Sequence, residues 1–260
     1  MRKSIIMGIL WGIFLLYHGI LLTLGFTGIL PWYVEPPSAL DFIVGPGMFF
    51  IGIVISFLII YASRFLPKEA PATGEVKKRR SVLLTSTEAA IIAAFSGINF
   101  AWNALGLIIV IFPPGSWSLS GIMPQLVGFA TGPVGLVITH FIAGLLWYDF
   151  PWGTYNFMLS GTWPNMLIYW YLRDVKKVYR YGLITITTFI FHQYDVWTWA
   201  MWAVHFAKLA PVEYIIPATY VFIPAWAIIN TVSIVVLLVI LDRIAPGLLR
   251  PTWLERYATD

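Results

Sequence analysis

The chain has 260 residues, of which 59% are apolar and 11% charged, against about 25% charged in an ordinary soluble domain. Mean hydropathy is +0.81, more apolar surface than one soluble core of this size can hide, which excludes a soluble enzyme, a disordered chain and a small secreted scaffold. No cysteine is present, so disulfides, thiolate nucleophiles and Cys-ligated metals are excluded too. The net charge of +4 is gathered in a few clusters beside long apolar runs, a pattern of membrane topology rather than of nucleic-acid binding.

A bilayer core of about 30 Å takes about 20 helical residues. Residues 5–30 and 42–63 each predict a span. The first has a basic start, but its apolar run is too long for a signal peptide and no A-x-A site follows, so it reads as a retained span. Gly8 and Gly12 within it form a GxxxG pair that lets another helix approach closely. Residues 64–85 contain Pro67, Pro71, Gly74 and the run Lys77, Lys78, Arg79 and Arg80; they are too polar to insert and predict a linker held against anionic lipid. Residues 86–112 predict a third span.

Residues 116–150 are over-long for one span and contain Pro124, Gly132 and Pro133. Charge decides how they divide, because cytoplasmic loops collect Lys and Arg. Arg2 and Lys3 put the N-terminus inside, and the next basic loop after the linker is 173–180. An odd number of spans must therefore lie between 113 and 172. A break at Gly132-Pro133, where proline lacks an N–H and disfavours helix in the residue before it, yields three: 116–132, 134–149 and 155–172. Residues 181–207 and 215–241 complete eight, and every Lys and Arg except Lys208 then lies on the cytoplasmic side. The expected fold is an all-α integral membrane protein of eight transmembrane helices in the plasma membrane, both termini cytoplasmic. Residues 1–63 form an N-terminal pair, 64–85 a basic linker, 86–245 a six-helix domain whose second and third helices are short, and 246–260 a cytoplasmic tail.

Four features of residues 81–245 belong together. Six helices have cytoplasmic ends. The run from Met123 to Val137 ends in Gly132-Pro133-Val134-Gly135 and is followed by Gly144 and Asp149. The first helix is alanine-rich, with Ala89 and Ala93, and Ala90 and Ala94, at small-xxx-small spacing. The last helix carries Pro217, Pro224 and a mid-helix Asn230. This part resembles the substrate-binding S-components of energy-coupling-factor vitamin importers; the N-terminal helix pair departs from their six-helix pattern. The resemblance implies a non-enzymatic, cofactor-free subunit that captures a small aromatic or heterocyclic, vitamin-like molecule. It further implies a transmembrane coupling protein, contacted by Ala89, Ala90, Ala93 and Ala94, and two cytoplasmic ATPase subunits.

An ionisable residue inside a span is a functional candidate by default. At 100° per residue His192, Asp195, Trp199, Trp202 and Phe206 share a sector of about 80° on one helix. One reading is a pocket for a flat, nitrogen-bearing molecule, with rings to stack on it and an acid as counter-charge. The other is an interfacial belt in which His192 and Asp195 satisfy each other; it accounts for Trp197 and Trp202 but poorly for an acid in mid-helix. Tyr155, Asn156 and Trp163 begin the fourth core helix near the outside and are pocket candidates by position. Asn99 and Asn103, one turn apart with Trp102 beside them, either line the pocket or hold helices together. Asn230 lies deep in the last helix, and His140 and His18 are expected to serve packing.

The chain has no GxxxxGK[ST], HExxH or Gly-x-Ser-x-Gly, so it does not hydrolyse ATP itself and offers no zinc-protease or esterase site. His192 and His205 are about 20 Å apart along their helix and cannot share a metal. No metal and no nucleic acid is expected; the partners are a small substrate, lipid and the importer subunits. The alternatives are an integral membrane enzyme and a non-catalytic subunit of a larger membrane complex.

Overall fold

The computed structural model describes residues 2–29, 39–69, 83–107, 109–112, 115–117, 121–147, 150–205, 208, 211, 213, 218–245 and 247–258. The basic run Lys77–Arg80, Asp149, Phe206, Pro217 and most of residues 113–121 lie outside them.

The fold is helical, and among the described residues three helices are long and apolar enough to cross a membrane: Lys3–Phe26, Ile43–Ala62 and Tyr220–Ile244. In chain order, α1 is Lys3–Phe26. Helix α2, Ala39–Phe42, runs through a π-helical turn at Ile43–Gly47 into α3, Met48–Ala62. Helix α4 is Ser86–Ala104, strands β1 and β2 are Ile109–Phe112 and Gly115–Trp117, and α5 and α6 are Ile122–Thr131 and Pro133–Gly144. Helix α7, Trp152–Phe157, passes through a π turn at Met158–Thr162 into α8, Trp163–Tyr171. Helix α9 is Lys177–His205. A third π turn, Ala218–Phe222, opens α10, Ile223–Ile244, and α11 is Trp253–Tyr257.

The span expected over 86–112 is helical only to Ala104, and the helix expected from 116 begins at Ile122. Between them β1 and β2 pair antiparallel, with Ile109 opposite Trp117 and Val110 opposite Ser116. Gly106, at φ +64°, stops α4, and the β-branched run that follows leads into Pro113-Pro114-Gly115, a turn sequence between strand-formers. The short helices break where proline predicts: α5 ends at Thr131, Gly132 adopts φ +79°, and Pro133 opens α6.

One end of the bundle collects the basic residues. Lys68 bridges to Val175, the Glu69 N–H donates to Asp174 O at 2.8 Å, and Lys177 Nζ meets Asp242 at 2.5 Å. Burial weighs against the charge on Arg180, but Tyr169, Glu69 and Tyr181 around it outweigh that effect and raise its pKa. Residues 247–258 are packed here too. Trp253 and Leu254 are fully buried, Trp253 lies against Gly132, Arg250 pairs with Asp174 at 2.9 Å, and Arg256 pairs with Glu88. The Gly132-Pro133 break thereby lies at the same end as these ion pairs.

Helix α9 runs through the centre, buried on almost every side from Thr187 to Val204. The N-terminal helices share its core. Phe14 of α1 meets Phe191 edge-on at 5.7 Å, and Phe49 of α3 lies 5.2 Å from Tyr194. Trp197 is laid against Gly45, where a Cβ would stand 2.3 Å from the indole carbons. Alanine at 45 is expected to force the helices apart and destabilise the protein by about 1–3 kcal/mol, the usual cost of overpacking, measured as a lower unfolding midpoint in detergent. An unchanged midpoint would mean that α3 does not dock here.

Candidate functional site

Three prolines shape the interior. Proline cannot donate a main-chain N–H, and its ring crowds the carbonyl four residues back. Pro46 lies within the first π turn, and Pro164 and Pro224 each lie two residues beyond one, so the widened turns take up the rings. The turn at Met158–Thr162 has two consequences. It leaves Leu159 O facing His18 Nε2 at 3.3 Å. It also sets Gly161 against α9, where a Cβ on residue 161 would stand 3.2 Å from His192 Nδ1 and 3.5 Å from Asp195 Cβ.

Around this point the bundle gathers buried polar side chains. His192 Nε2 lies 2.9 Å from Gln125 Oε1 of α5, and Gln125 Nε2 donates to Thr188 Oγ1 at 3.2 Å. The His192 ring lies 5.5 Å from Phe157 and 5.7 Å from Trp226. Asp195, one turn along, is buried as well. Asn156 Nδ2 donates to Thr198 Oγ1 at 2.7 Å, while its Oδ1 accepts from Tyr17 Oη at 3.2 Å and Ser160 Oγ at 3.3 Å. Thr198 Oγ1 in turn donates to Asp195 O at 2.7 Å. His18 Nδ1 lies 3.0 Å from Tyr194 Oη. His140 Nε2 lies 2.9 Å from Thr162 Oγ1, which donates to Met158 O at 3.0 Å. Buried polar groups require such partners, and an acid in this setting is held only at a cost.

His192, Asp195 and Asn156 thus meet in one buried group. Trp199 and Trp202 lie further along α9 and are half-buried, Trp199 6.4 Å from the Phe222 ring. Tyr155 is exposed, in contrast to Asn156 beside it. Asn103 ties α4 to α6 by donating to Ala143 O at 3.4 Å. Asn99 and Asn230 are fully buried. Trp197, which an interfacial belt would put at the water boundary, is fully buried. Ala89, Ala90, Ala93 and Ala94 are all exposed on α4. Among the described residues, no three His, Asp or Glu side chains gather to hold a metal ion.

Gln125, Tyr17, Tyr194, His18 and His140 also belong to the buried group. Gln125 carried a usable signal, since a lone amide in the apolar run 122–131 is a functional candidate on the same ground as Asp195. Tyr17 and Tyr194 carried none, because tyrosine is as common at membrane boundaries as in cores. Comparison with known proteins finds no match: no family model, no curated protein and no solved structure is similar to this chain.

Proposed function

We propose that this chain is an eight-span plasma-membrane protein with both termini cytoplasmic. In this reading it captures a small aromatic or heterocyclic, vitamin-like molecule and passes it inward with a membrane coupling protein and two separate ATPase subunits, itself performing no chemistry. The observation that carries the reading is the buried polar group in mid-bundle. His192 and Asp195 of α9, Gln125 of α5 and Asn156 of α7 converge there. Polar and acidic side chains are expensive inside a bilayer and mark substrate or ion paths.

Two further features support it. Helices α5 and α6, of 10 and 12 residues, would be only about 15 and 18 Å long, so each needs neighbours or a thinned bilayer to complete a crossing. The exposed alanines of α4 continue to Gly97, where a Cβ would meet nothing within 4 Å, so a partner helix can approach along the whole strip.

The test is purification of the full chain in mild detergent from its native membrane, followed by mass spectrometry of released small molecules and identification of copurifying proteins. The expected outcome is one aromatic or heterocyclic compound together with ATPase subunits. Ala93→Leu is expected to lose the protein partners and keep the compound. Unchanged copurification and uptake in that variant would remove the coupling face. A respiratory or oxidase complex in place of the ATPases would replace the importer by a non-catalytic subunit.

A further inference from the structure

Residues 247–258 bridge two groups of helices at the basic end. Helices α4, α5 and α6 pack on one another. The segment is tied to them by Arg256, which pairs with Glu88 in the first turn of α4, and by Trp253, which lies against Gly132 between α5 and α6. Its other ties run to α8 and the turn after it. Arg250 Nη2 meets Asp174 Oδ1 at 2.9 Å, Glu255 Oε1 lies 3.6 Å from Arg173 Nη2, and the Trp253 ring is 6.3 Å from that of Trp170. The segment leaves α10 through Gly247, at φ +90°, where a Cβ would meet nothing within 4 Å. A glycine with open space around it turns at little steric cost.

Docking satisfies this segment incompletely. Trp253 Nε1, Arg256 Nε and Arg256 Nη2 are buried without a hydrogen-bond partner among the described residues. All three are donors, and unmet buried donors cost free energy. The ion pairs offset little of that cost. Arg250–Asp174 and Glu255–Arg173 are partly exposed, and desolvation cancels much of the attraction in the buried Arg256–Glu88 pair. A bilayer surface suits the same side chains. Headgroup phosphates accept from guanidinium and indole N–H groups, and Trp253, Leu254 and Tyr257 are of the types that settle at the interface. Residues 243–258 carry Arg243, Arg250 and Arg256 against Glu255 alone, so an anionic surface attracts them.

We propose that residues 247–258 are a two-position clasp. Docked, they hold the α4–α6 group against α8. Released, they lie on anionic lipid headgroups and leave the Gly132-Pro133 break uncovered. The clasp does not depend on what the mid-bundle polar group binds.

Hydrogen exchange read by mass spectrometry on the full chain in lipid nanodiscs tests it. Nanodiscs of phosphatidylcholine alone are compared with nanodiscs that also contain phosphatidylglycerol. The anionic lipid should speed exchange in residues 86–92, 128–136 and 247–258 together, by about tenfold or more, because an anionic surface favours each of two arginines by about fivefold. Residues 187–204 of α9 should keep their protection in both lipids. A second arm blocks release itself. The chain has no cysteine, so Leu83→Cys with Tyr257→Cys supplies its only thiols, at positions that meet when docked: Tyr257 Oη donates to Leu83 O at 2.6 Å. Joining them with a reducible bis-methanethiosulfonate linker should abolish the lipid effect, and reduction should restore it. Equal exchange in the two lipids overturns the clasp. So does faster exchange confined to 247–258, which would make α11 an end that frays alone, and so does a lipid effect that persists in the linked protein. A rise that extends to 187–204 would mean that the lipid loosens the whole bundle, and it overturns the clasp as well.

Discussion

Gly132→Ala is expected to lower the unfolding midpoint in detergent through two costs that add. Gly132 has φ +79° and ψ −160°, a conformation that glycine alone adopts freely, and an L side chain there costs about 1–3 kcal/mol in backbone strain. The added methyl would also stand 2.4 Å from Cδ2 of Trp253, which is fully buried, and overpacking costs about as much again. Gly247→Ala is the control. Its φ is +90°, but a Cβ there meets nothing within 4 Å, so it reports strain without the clash. Scanning fluorimetry of the two variants should show the larger fall at 132. Equal shifts would mean that Trp253 does not seal the α5–α6 break, and a wild-type midpoint at 132 would remove the break itself.

The second large effect concerns the pair that fastens the C-terminal helix. Glu88 and Arg256 are each only 8% exposed. The carboxylate is shared: Oε1 accepts from Arg256, and Oε2 accepts from the Thr85 N–H at 2.8 Å, closing the capping box that starts α4. Arg256 has no such reserve, since Nε and Nη2 are buried without another partner among the described residues. Removing one member of a buried pair strands the other and costs about 3–5 kcal/mol. Glu88→Gln, which strands the guanidinium, should therefore fall near that range. Arg256→Met should cost less, because Thr85 still holds the carboxylate. The double variant should recover part of the loss from Glu88→Gln, as a double-mutant cycle in detergent would measure. Additive losses would show that the two side chains do not interact.

Both effects concern residues 247–258, which composition marks only as a polar tail beyond the last span. Their docking depends on a cleft that exists only once α4, α5 and α8 are assembled, as the packing of Trp253 against Gly132 and Trp170 shows. Nothing in a stretch holding Trp253, Arg256 and Tyr257 distinguishes a docked helix from an amphipathic segment resting on lipid.

What the sequence determined by itself was local in origin. Apolar runs set the helical class and the three long apolar helices, Pro133 set the break after Gly132, and the 100° repeat put His192 and Asp195 on one face. Each follows from neighbours within a few turns, where periodicity and proline geometry act directly. The tertiary structure decided which polar residues meet. Tyr17 reaches Asn156 across 139 residues and His18 reaches Tyr194 across 176, and Gln125 meets His192 across 67. It also paired Ile109–Phe112 with Gly115–Trp117 as strands and left Tyr155 exposed beside a buried Asn156. A helix face read alone carries no record of what opposes it. The partner is chosen by how several faces pack at once, and here that choice depended on a π turn ahead of Pro164 that sets Gly161 against α9.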